Sequence, residues 1–191
     1  AHEIDSVNSN LAGRITDYRQ EGKIYIYMGL SRNGIISLEK SLSLSDELGQ
    51  SLKNENKLSI ADNYLVLGQL YSVMGLTEKA REHIKKALTL FTQANDPRGE
   101  MESNLTLAGV SSDLGDILES GKLVEKSMKQ AVALGLGTSR HNQLLASIAS
   151  AAGEYENALR YQERALNEAM DFGIMGQVIW TTFGMGDILH K

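Results

Sequence analysis

Apolar and small residues recur along this chain at helical spacing, and charged residues occupy the opposite positions. One such stripe includes Ala80, Ile84 and Ala87, while Lys79 and Glu82 lie between them. Apolar residues three and four positions apart share one face of a helix, so the pattern predicts amphipathic helices with one buried stripe each. The chain of 191 residues contains a single proline. This scarcity favours helices joined by short turns, because proline removes a backbone donor and clashes with the preceding turn.

The helical pattern is itself repeated along the chain. Met28-Gly29-Leu30 returns 46 residues later as Met74-Gly75-Leu76. Flanking residues return at the same offset: Tyr18, Gly22, Tyr25 and Leu38 match Tyr64, Gly68, Tyr71 and Ile84. The small residue in the middle of each first helix gives the register Gly22, Gly68, Ala108, Ala146 and Gly184, with spacings that fall from 46 to 38 residues. An internal repeat of this length predicts stacked copies of one structural unit.

Each repeat is predicted to contain two helices joined by a turn at a glycine. These glycines are Gly29, Gly75, Gly115 and Gly153. Glycine is expected there because the chain leaves the first helix through a left-handed residue, which glycine adopts without strain. Ser31 and Thr77 follow two residues later and are predicted to cap the second helices. Pro97 after Asp96 predicts a further helix start, with Asp96 as the cap and Pro97 in the first position.

The small residues predict close contact between the two helices of a pair. Gly68 in a first helix, with Ala80 and Ala87 in the second, allows two antiparallel helices to approach closely. The contact between neighbouring repeats is expected to be filled by the larger residues Tyr64, Leu67 and Tyr71. The third repeat instead has polar residues at packing positions: Asn104, Ser111, Ser120 and Ser127. We therefore expect looser packing in the third repeat.

The second repeat resembles the tetratricopeptide repeat, whose signature combines an aromatic residue, Leu-Gly, Tyr, and later small and apolar residues at fixed spacing. The matching residues are Tyr64, Leu67, Gly68, Tyr71, Gly75, Ala80, Ile84 and Ala87. The fourth repeat keeps Leu145, Ala146, Ala149, Gly153, Ala158 and Ala165. This resemblance implies an all-α fold, a right-handed superhelical solenoid of antiparallel helix pairs. Repeats of about 40 residues are similar to a longer-repeat subclass found in bacterial signalling and transcription regulators.

The register divides the chain into six segments. Residues 1–14 are expected to form an N-terminal helical cap or the tail of a preceding repeat. The four repeats are assigned to residues 15–60, 61–100, 101–138 and 139–176, and residues 177–191 to the first helix of a truncated fifth repeat. The chain begins at Ala1 without an initiator methionine and ends within the fifth repeat. Both ends therefore favour a fragment of a longer protein.

Composition and charge exclude several classes of function. The net charge of −5 and the pI near 5.4 disfavour a nucleic-acid binder, which normally carries a basic stripe. No apolar run approaches the ~18 residues that cross a bilayer, so we expect no direct membrane insertion. The absence of cysteine excludes disulfides and thiol chemistry. No signal-peptide pattern is present, so we favour a cytoplasmic location, with a periplasmic or other extracytoplasmic one as the alternative.

The sequence offers little for catalysis. The four histidines, His2, His83, His141 and His190, include no pair at the i, i+4 spacing of metal ligands. His83 and His141 are expected on the surface or between repeats. The segment 109–115 superficially resembles a phosphate-binding loop but lacks the lysine and the preceding strand. We therefore expect no enzyme activity, no metal site and no cofactor.

Binding of a protein or peptide is the better-supported function. In the tetratricopeptide family the first helices line a concave groove, and this resemblance assigns the candidate ligand-binding residues. They are Arg19, Lys23, Leu65, Gln69, Ser72, Leu105, Arg140, Gln143 and Ser147, and the same mapping includes Asp62, Glu102 and Thr181. Gln and Ser side chains can bond to an extended peptide backbone, and Arg19 with Lys23 can hold a carboxylate. An idle, solvated face is the equally weighted alternative.

Two hypotheses of different classes follow. The first is a non-catalytic peptide-binding module, the sensor or scaffold region of a larger, bacterial signalling or regulatory protein. The second is a structural module that forms a homodimer through the apolar face of the last repeat, with residues Val178, Ile179, Phe183, Ile188 and Leu189. RNA binding by a helical repeat is disfavoured by the acidic charge and by the longer period.

Overall fold

The computed structural model describes residues 2–48 and 54–189, with side chains at positions 10–46, 57–176, 178, 179, 181–186 and 188. The chain divides into two compact units, Ala1–Gly99 and Glu100–Lys191, which we call unit 1 and unit 2. All elements in the described ranges are α-helices joined by short turns. They occur in consecutive pairs, which confirms the predicted all-α fold of helix pairs.

Unit 1 contains two helix pairs. Its helices are α1 (His2–Tyr27), α2 (Ser31–Leu48), α3 (Asn54–Val73) and α4 (Thr77–Gln93). Each helix packs against its neighbour in the chain, so that α2 contacts both α1 and α3. Helix α1 runs through the predicted boundary at residue 14 without a break. The predicted boundary between residues 60 and 61 likewise falls inside α3.

Unit 2 contains the remaining helices, apart from the first residues of α5. They are α5 (Pro97–Asp113), α6 (Ile117–Ala133), α7 (Ser139–Ala151), α8 (Tyr155–Asp171) and α9 (Met175–Leu189). Helix α7 contacts α6, α8 and α9. The predicted boundary between residues 138 and 139 coincides with the start of α7, whereas those at 100 and 176 fall inside α5 and α9.

Left-handed residues form the turns within the helix pairs, as the sequence predicts. The φ angles of Gly29, Gly75, Gly115 and Gly153 are 76°, 73°, 81° and 79°. At each of these glycines an L side chain would strain the backbone. The connections between pairs also use left-handed residues, namely Asn95, Gly135 and Gly173, which the sequence analysis did not identify. Asn is the residue after Gly that tolerates this conformation best.

The predicted caps are only partly correct. Ser31 and Thr77 are the first residues of α2 and α4 rather than their caps. The helices start earlier than predicted, because Ala80 N donates to Leu76 O at 3.0 Å and makes Leu76 the N-cap. Thr77 Oγ1 instead donates to the carbonyl of the preceding glycine at 3.3 Å. At α5 the prediction is confirmed: Asp96 Oδ1 accepts a hydrogen bond from the second helical residue at 3.2 Å.

Glycine allows the close helix approach that was predicted for unit 1. A Cβ added to Gly68 would overlap Ile84 Cγ1 and lie 3.2 Å from the carbonyl oxygen of Ala80. In the first pair, a Cβ on Gly22 would lie 2.7 Å from Leu38 Cγ. Ile84 and Leu38 are both fully buried. The small residue in the first helix thus makes room for the large aliphatic residue of its partner helix.

The polar packing residues of the third repeat form hydrogen bonds within the α5–α6 pair, and the looser contact with neighbouring repeats stays a prediction. Ser120 Oγ donates to the carbonyl oxygen of Ala108 at 2.7 Å, and Ser127 Oγ donates to that of Met101 at 2.8 Å. Both serines are fully buried. A serine is little larger than alanine, and its hydroxyl finds an acceptor on the facing helix, so polarity here does not open the packing.

Tyrosines of α3 contact both neighbouring helices, α2 and α4. Tyr71 is buried, and its hydroxyl donates to Glu39 Oε1 at 2.5 Å. Burial and this hydrogen bond raise the pKa of Tyr71 to about 12. Tyr64 and Tyr71 each make an edge contact with the ring of His83, at centroid distances of 5.8 Å and 5.1 Å. His83 on α4 therefore packs against α3, the other helix of its own pair.

Candidate ligand-binding face

The predicted ligand-binding residues lie on the first helices of the pairs, and we call the side that carries them the first-helix face. In unit 1 this face begins with two cations one turn apart on α1. Lys23 is exposed, and Arg19 is half-buried. Neither makes an ion pair within 4.0 Å in the part of the chain that the structure describes, and Arg19 Nε is buried without a hydrogen-bond partner there.

A carboxyl group of α3 faces these two cations. The pKa of Asp62 is raised, chiefly because the surrounding helices withdraw the carboxyl from water. The charges of Lys23 and Arg19 oppose this shift, and the charge of Asp96 adds to it. The charge of Asp62 therefore interacts with those of both Arg19 and Lys23, but Asp62 forms no ion pair within 4.0 Å with either of them.

Two of the predicted residues do not offer a side chain to a ligand. Leu65 on α3 and Leu105 on α5 are buried. Each is an apolar residue at a position where its helix packs against other helices, so burial of the side chain stabilises the fold. Gln69 and Ser72, further along α3, are half-buried and keep part of their surface exposed.

The first-helix face of unit 2 contains a salt bridge between two first helices. Arg140 Nη1 on α7 lies 2.9 Å from both carboxylate oxygens of Glu102 on α5. The two residues are 38 residues apart, which is the period of this part of the repeat. The guanidinium and the carboxylate are each partly exposed. Arg140 is therefore neutralised within the protein, in contrast to Arg19 and Lys23 in unit 1.

A second contact at the same period links α7 to α9. Gln143 Nε2 donates to Thr181 Oγ1 at 2.8 Å, again across 38 residues. Thr181 is buried, whereas Ser147, one turn after Gln143, is exposed. Equivalent positions of consecutive first helices thus lie side by side in unit 2. The structure brings Arg140 and Gln143 into contact with the next or previous first helix and leaves Ser147 open to solvent.

A buried histidine lies between α6 and α7, where the sequence analysis offered a position between repeats or on the surface. His141 on α7 is buried, and its Nε2 lies 2.9 Å from Ser127 Oγ on α6. The same position of the repeat is occupied by Asn63 in unit 1, whose Nδ2 donates to Ser41 Oγ at 3.0 Å. A serine in a second helix, followed by a polar residue at this position of the next first helix, is the signal that could have predicted both contacts.

The described residues contain no group of three His, Asp or Glu side chains that could hold a metal ion. An open depression of about 350 Å³ lies on α6, a second helix, and is lined by Glu125, Met128, Lys129 and Val132. None of the predicted ligand-binding residues lines it. In the same described ranges, no helix combines the length and the apolar character that crossing a bilayer requires.

Comparison with protein families identifies one repeat directly. Residues 61–93 match the model of the tetratricopeptide repeat. This range covers α4 and most of α3, and it includes the second-repeat residues on which the resemblance was based. The predicted resemblance to tetratricopeptide repeats is therefore confirmed. A sequence comparison with curated proteins finds no match.

Solved structures share the fold at low sequence identity. A signal-transduction ATPase of the STAND class with a tetratricopeptide repeat sensor, from Pyrococcus horikoshii, matches 92% of this chain with a TM-score of 0.75 and 15% identity. The chain spans 27% of that protein. BtubC from P. vanneervenii has a TM-score of 0.66 at 16% identity, and the alignment covers 93% of this chain and 82% of BtubC.

A third structure is that of the Rap conjugation gene regulator of the plasmid pLS20, in complex with the Phr* peptide. The alignment covers 91% of this chain and 50% of the regulator, with a TM-score of 0.68 and 13% identity. At these identities the comparisons show a tetratricopeptide-like fold.

Proposed function

We propose that this tetratricopeptide-like chain is a non-catalytic module that binds a protein or peptide segment along its first-helix face. The alignment of equivalent polar residues on consecutive first helices is the observation that carries this proposal. In unit 2 the Glu102–Arg140 and Gln143–Thr181 contacts, both at the repeat period, support one continuous polar face across α5, α7 and α9. Such a face offers hydrogen-bonding groups at regular intervals, which suits an extended peptide.

The charges on the first-helix face indicate which ligand groups unit 1 prefers. Arg19 and Lys23 carry charges that are not in direct contact with a carboxylate within the described residues, so an acidic group of a ligand can pair with them. Arg140 Nη1 already contacts both carboxylate oxygens of Glu102, and a ligand would have to break this salt bridge. We therefore expect the first-helix face of unit 1, taken by itself, to prefer acidic ligand groups, and that of unit 2 to prefer neutral polar groups near Gln143 and Ser147.

The wider role is also part of the proposal. The matched STAND protein carries its tetratricopeptide repeats as a sensor, and the matched Rap regulator is in complex with a peptide. Both support a sensor or scaffold region within a larger bacterial signalling or regulatory protein. In such a protein a separate domain would carry the output.

The test is selection of peptides from a random display library, followed by calorimetric titration of the enriched peptides. We expect acidic peptides to be enriched, and Arg19→Glu to weaken their binding by about tenfold to a hundredfold, since loss of a charge-assisted hydrogen bond costs ~1.5–3 kcal/mol. Gln143→Ala is expected to weaken binding less. The matched control is Lys85→Glu, which makes the same charge change at an exposed position on α4. If no peptide is enriched, or if Lys85→Glu weakens binding as much as Arg19→Glu, the assignment is wrong.

The alternative function, self-association through the last repeat, is supported by one observation. Phe183 on α9 is 70% exposed, whereas Leu67 and Leu107, at the same position of earlier repeats, are buried. Ile179 is also exposed, but Ile188 is buried against Ala149 and Ala158 and is not available for docking. Light scattering separates the two functions. A dimer that Phe183→Asp converts to a monomer supports self-association, and a monomeric parent protein excludes it.

A further inference from the structure

The two turns of unit 1 expose large apolar side chains. The six residues, with exposures between 42% and 95%, are Tyr27, Met28, Leu30, Val73, Met74 and Leu76. Consecutive helices of unit 1 are antiparallel neighbours, and α2 contacts both α1 and α3. The α1–α2 turn and the α3–α4 turn therefore lie at the same edge of unit 1. We call these six side chains the turn edge.

The two leucines of the turn edge provide no side-chain cap to the helices that they precede. Leu76 is the N-cap of α4, and no side chain caps this helix. Leu30 has the equivalent place before α2, where its carbonyl oxygen accepts from Gly34 N at 3.0 Å. In unit 2 the corresponding residues are both acidic: the carboxylate of Asp116 accepts a hydrogen bond from Glu119 N at 3.2 Å, and Glu154 precedes α8 without making a side-chain cap. A polar cap stabilises a helix, whereas an exposed leucine neither caps nor gains burial.

The backbone of these turns can leave water at little cost. Gly29 N donates to Ile26 O at 3.0 Å, and Leu30 N donates to Tyr25 O at 2.8 Å. The second turn repeats this arrangement, with donor–acceptor distances of 2.9 Å and 2.8 Å. Burying an unpaired amide is costly, but these amides already have partners within the turn. The amides of Gly29, Leu30, Gly75 and Leu76 therefore lose no hydrogen bond when the turn edge leaves water.

The charge around the turn edge differs from that of the same positions in unit 2. Residues 27–33 and 73–79 contain Arg32, Glu78 and Lys79. Glu78 is held in an ion pair with Arg81 at 2.6 Å, while Arg32 and Lys79 are exposed. The matching segments of unit 2 carry five acidic residues and no basic one: Asp113, Asp116, Glu119, Glu154 and Glu156. The turn edge is thus apolar and locally basic in a protein whose net charge is −5.

We propose that the turn edge docks peripherally on a bilayer surface that carries anionic lipids. Its side chains are exposed at helix turns, and a deformable lipid interface can receive such side chains without a complementary pocket. Tyrosine has an apolar ring and a polar tip, so it is suited to the interfacial region. Arg32 and Lys79 complement the negative surface potential of anionic headgroups. The uncapped first turn of α4 presents backbone N–H groups of the kind that bind phosphate oxygens.

This contact is peripheral and separate from the first-helix face. Only the side chains of the turns reach the headgroup region, while the helices stay outside the bilayer, so no apolar span is needed. The residues involved are distinct from Arg19 and the other predicted ligand-binding residues. Docking on lipid would leave the first-helix face free to bind a peptide.

Vesicle flotation tests the proposal directly. The probes are vesicles of phosphatidylcholine alone and vesicles of phosphatidylcholine mixed with phosphatidylserine. We expect the protein to float with the mixed vesicles and to dissociate as salt is raised, since salt screens attraction to the headgroups. The double variant Tyr27→Ser/Val73→Ser should lower the partition coefficient by about tenfold, because two apolar side chains no longer leave water. The double variant Arg32→Glu/Lys79→Glu should lower the partition coefficient most at low salt, where attraction to the headgroups is least screened.

The matched control is Leu118→Ser/Phe183→Ser, which removes two apolar side chains of unit 2 with exposures of 73% and 70%. It should retain binding. Circular dichroism verifies that each variant keeps its helices, which is expected because the replaced side chains are exposed. Equal binding to both kinds of vesicle, no binding at all, or equal loss in the control overturns the proposal.

Light scattering and a groove variant separate the remaining outcomes. A protein that does not bind vesicles but forms a dimer that Tyr27→Ser/Val73→Ser dissolves would assign the turn edge to a second copy of the chain, and would overturn the lipid assignment. Arg19→Glu should leave vesicle binding unchanged. If Arg19→Glu loses peptide binding but still floats with vesicles, the two sites are separate, as the turn-edge proposal requires. If the parent protein binds peptide but does not float, the turn-edge proposal is rejected and the proposed function stands.

Discussion

The polar contacts inside unit 2 determine the state of a buried histidine. Ser127 donates its hydroxyl proton to the carbonyl of Met101, so His141 must donate to Ser127 from Nε2. His141 Nδ1 is buried and has no hydrogen-bond partner among the described residues. Burial lowers the pKa of His141, and the charge of Arg140 lowers it further, while Glu102 and Glu168 act in the opposite direction. The neutral ring with its proton on Nε2 is therefore the form that the folded protein prefers.

The first prediction concerns the pH dependence of stability. Because the folded pKa of His141 lies below the unfolded value of about 6.5, the unfolded state binds more protons as pH falls. The contribution of His141 is fully present above pH ~6.5 and is lost as pH falls toward the folded pKa. His141→Asn should reduce this loss, since Asn63 makes the equivalent contact to Ser41 in unit 1.

Urea unfolding of parent and variant between pH 7.5 and pH 5, values that bracket the ordinary histidine pKa of about 6.5, measures the effect. His83, whose pKa is lowered chiefly by burial, remains in both proteins and contributes equally to each. A difference in the free energy of unfolding that does not change with pH would show that His141 titrates normally in the folded state.

At the scale of the helices, the turns combine a required feature with a variable one. The glycine is required, because every turn within a pair has it at positive φ. The residue after it is variable: Leu76 leaves α4 uncapped, whereas Asp116 caps α6. Leu76→Asp should therefore raise the free energy of unfolding by about 0.5–1 kcal/mol. Chemical denaturation measures this change, and Asp116→Ala, expected to lower the value by a similar amount, is the reciprocal control.

Two glycines within helices should respond oppositely to the same substitution. Gly109 in α5 has open space around the position of an added Cβ, so Gly109→Ala should stabilise the protein by about 0.5–1 kcal/mol. Gly68 in α3 faces Ile84 and the Ala80 carbonyl, so Gly68→Ala should destabilise it by about 1–3 kcal/mol. Thermal and urea unfolding compare the two variants. The same sign for both would show that packing does not decide the effect at these positions.

At the scale of the whole molecule, the chain consists of two compact units whose helices mainly contact their neighbours in the chain. Repeat proteins of this kind have a stability that is approximately a sum over repeats and nearest-neighbour contacts. Val124 in α6 is fully buried, and Val124→Ala removes two methyl groups from unit 2. We expect amide-exchange protection to fall most in α5, α6 and α7. A uniform fall along the chain would instead indicate one global unfolding unit.

Local pattern was sufficient to predict much of this protein. The repeat register, the turn glycines and the close approach at Gly68 follow from residue size and spacing, because each of them is a local requirement of helix geometry. Sequence could not predict the burial of Leu65 and Leu105, because a helical position shows its face but not what covers it. The caps were misplaced for a related reason: one backbone hydrogen bond to Leu76 decides where α4 begins.

The sequence by itself determined that the chain forms paired helices in a repeating register, since apolar spacing and glycine placement act through the nearest residues. The tertiary structure decided which polar residues are paired within the protein and which remain available to bind a ligand. Arg140 is neutralised by Glu102 across 38 residues, while the neighbouring carboxylate leaves Arg19 and Lys23 without direct contact. Those pairings depend on distances between helices, and such distances are set only when the helices pack.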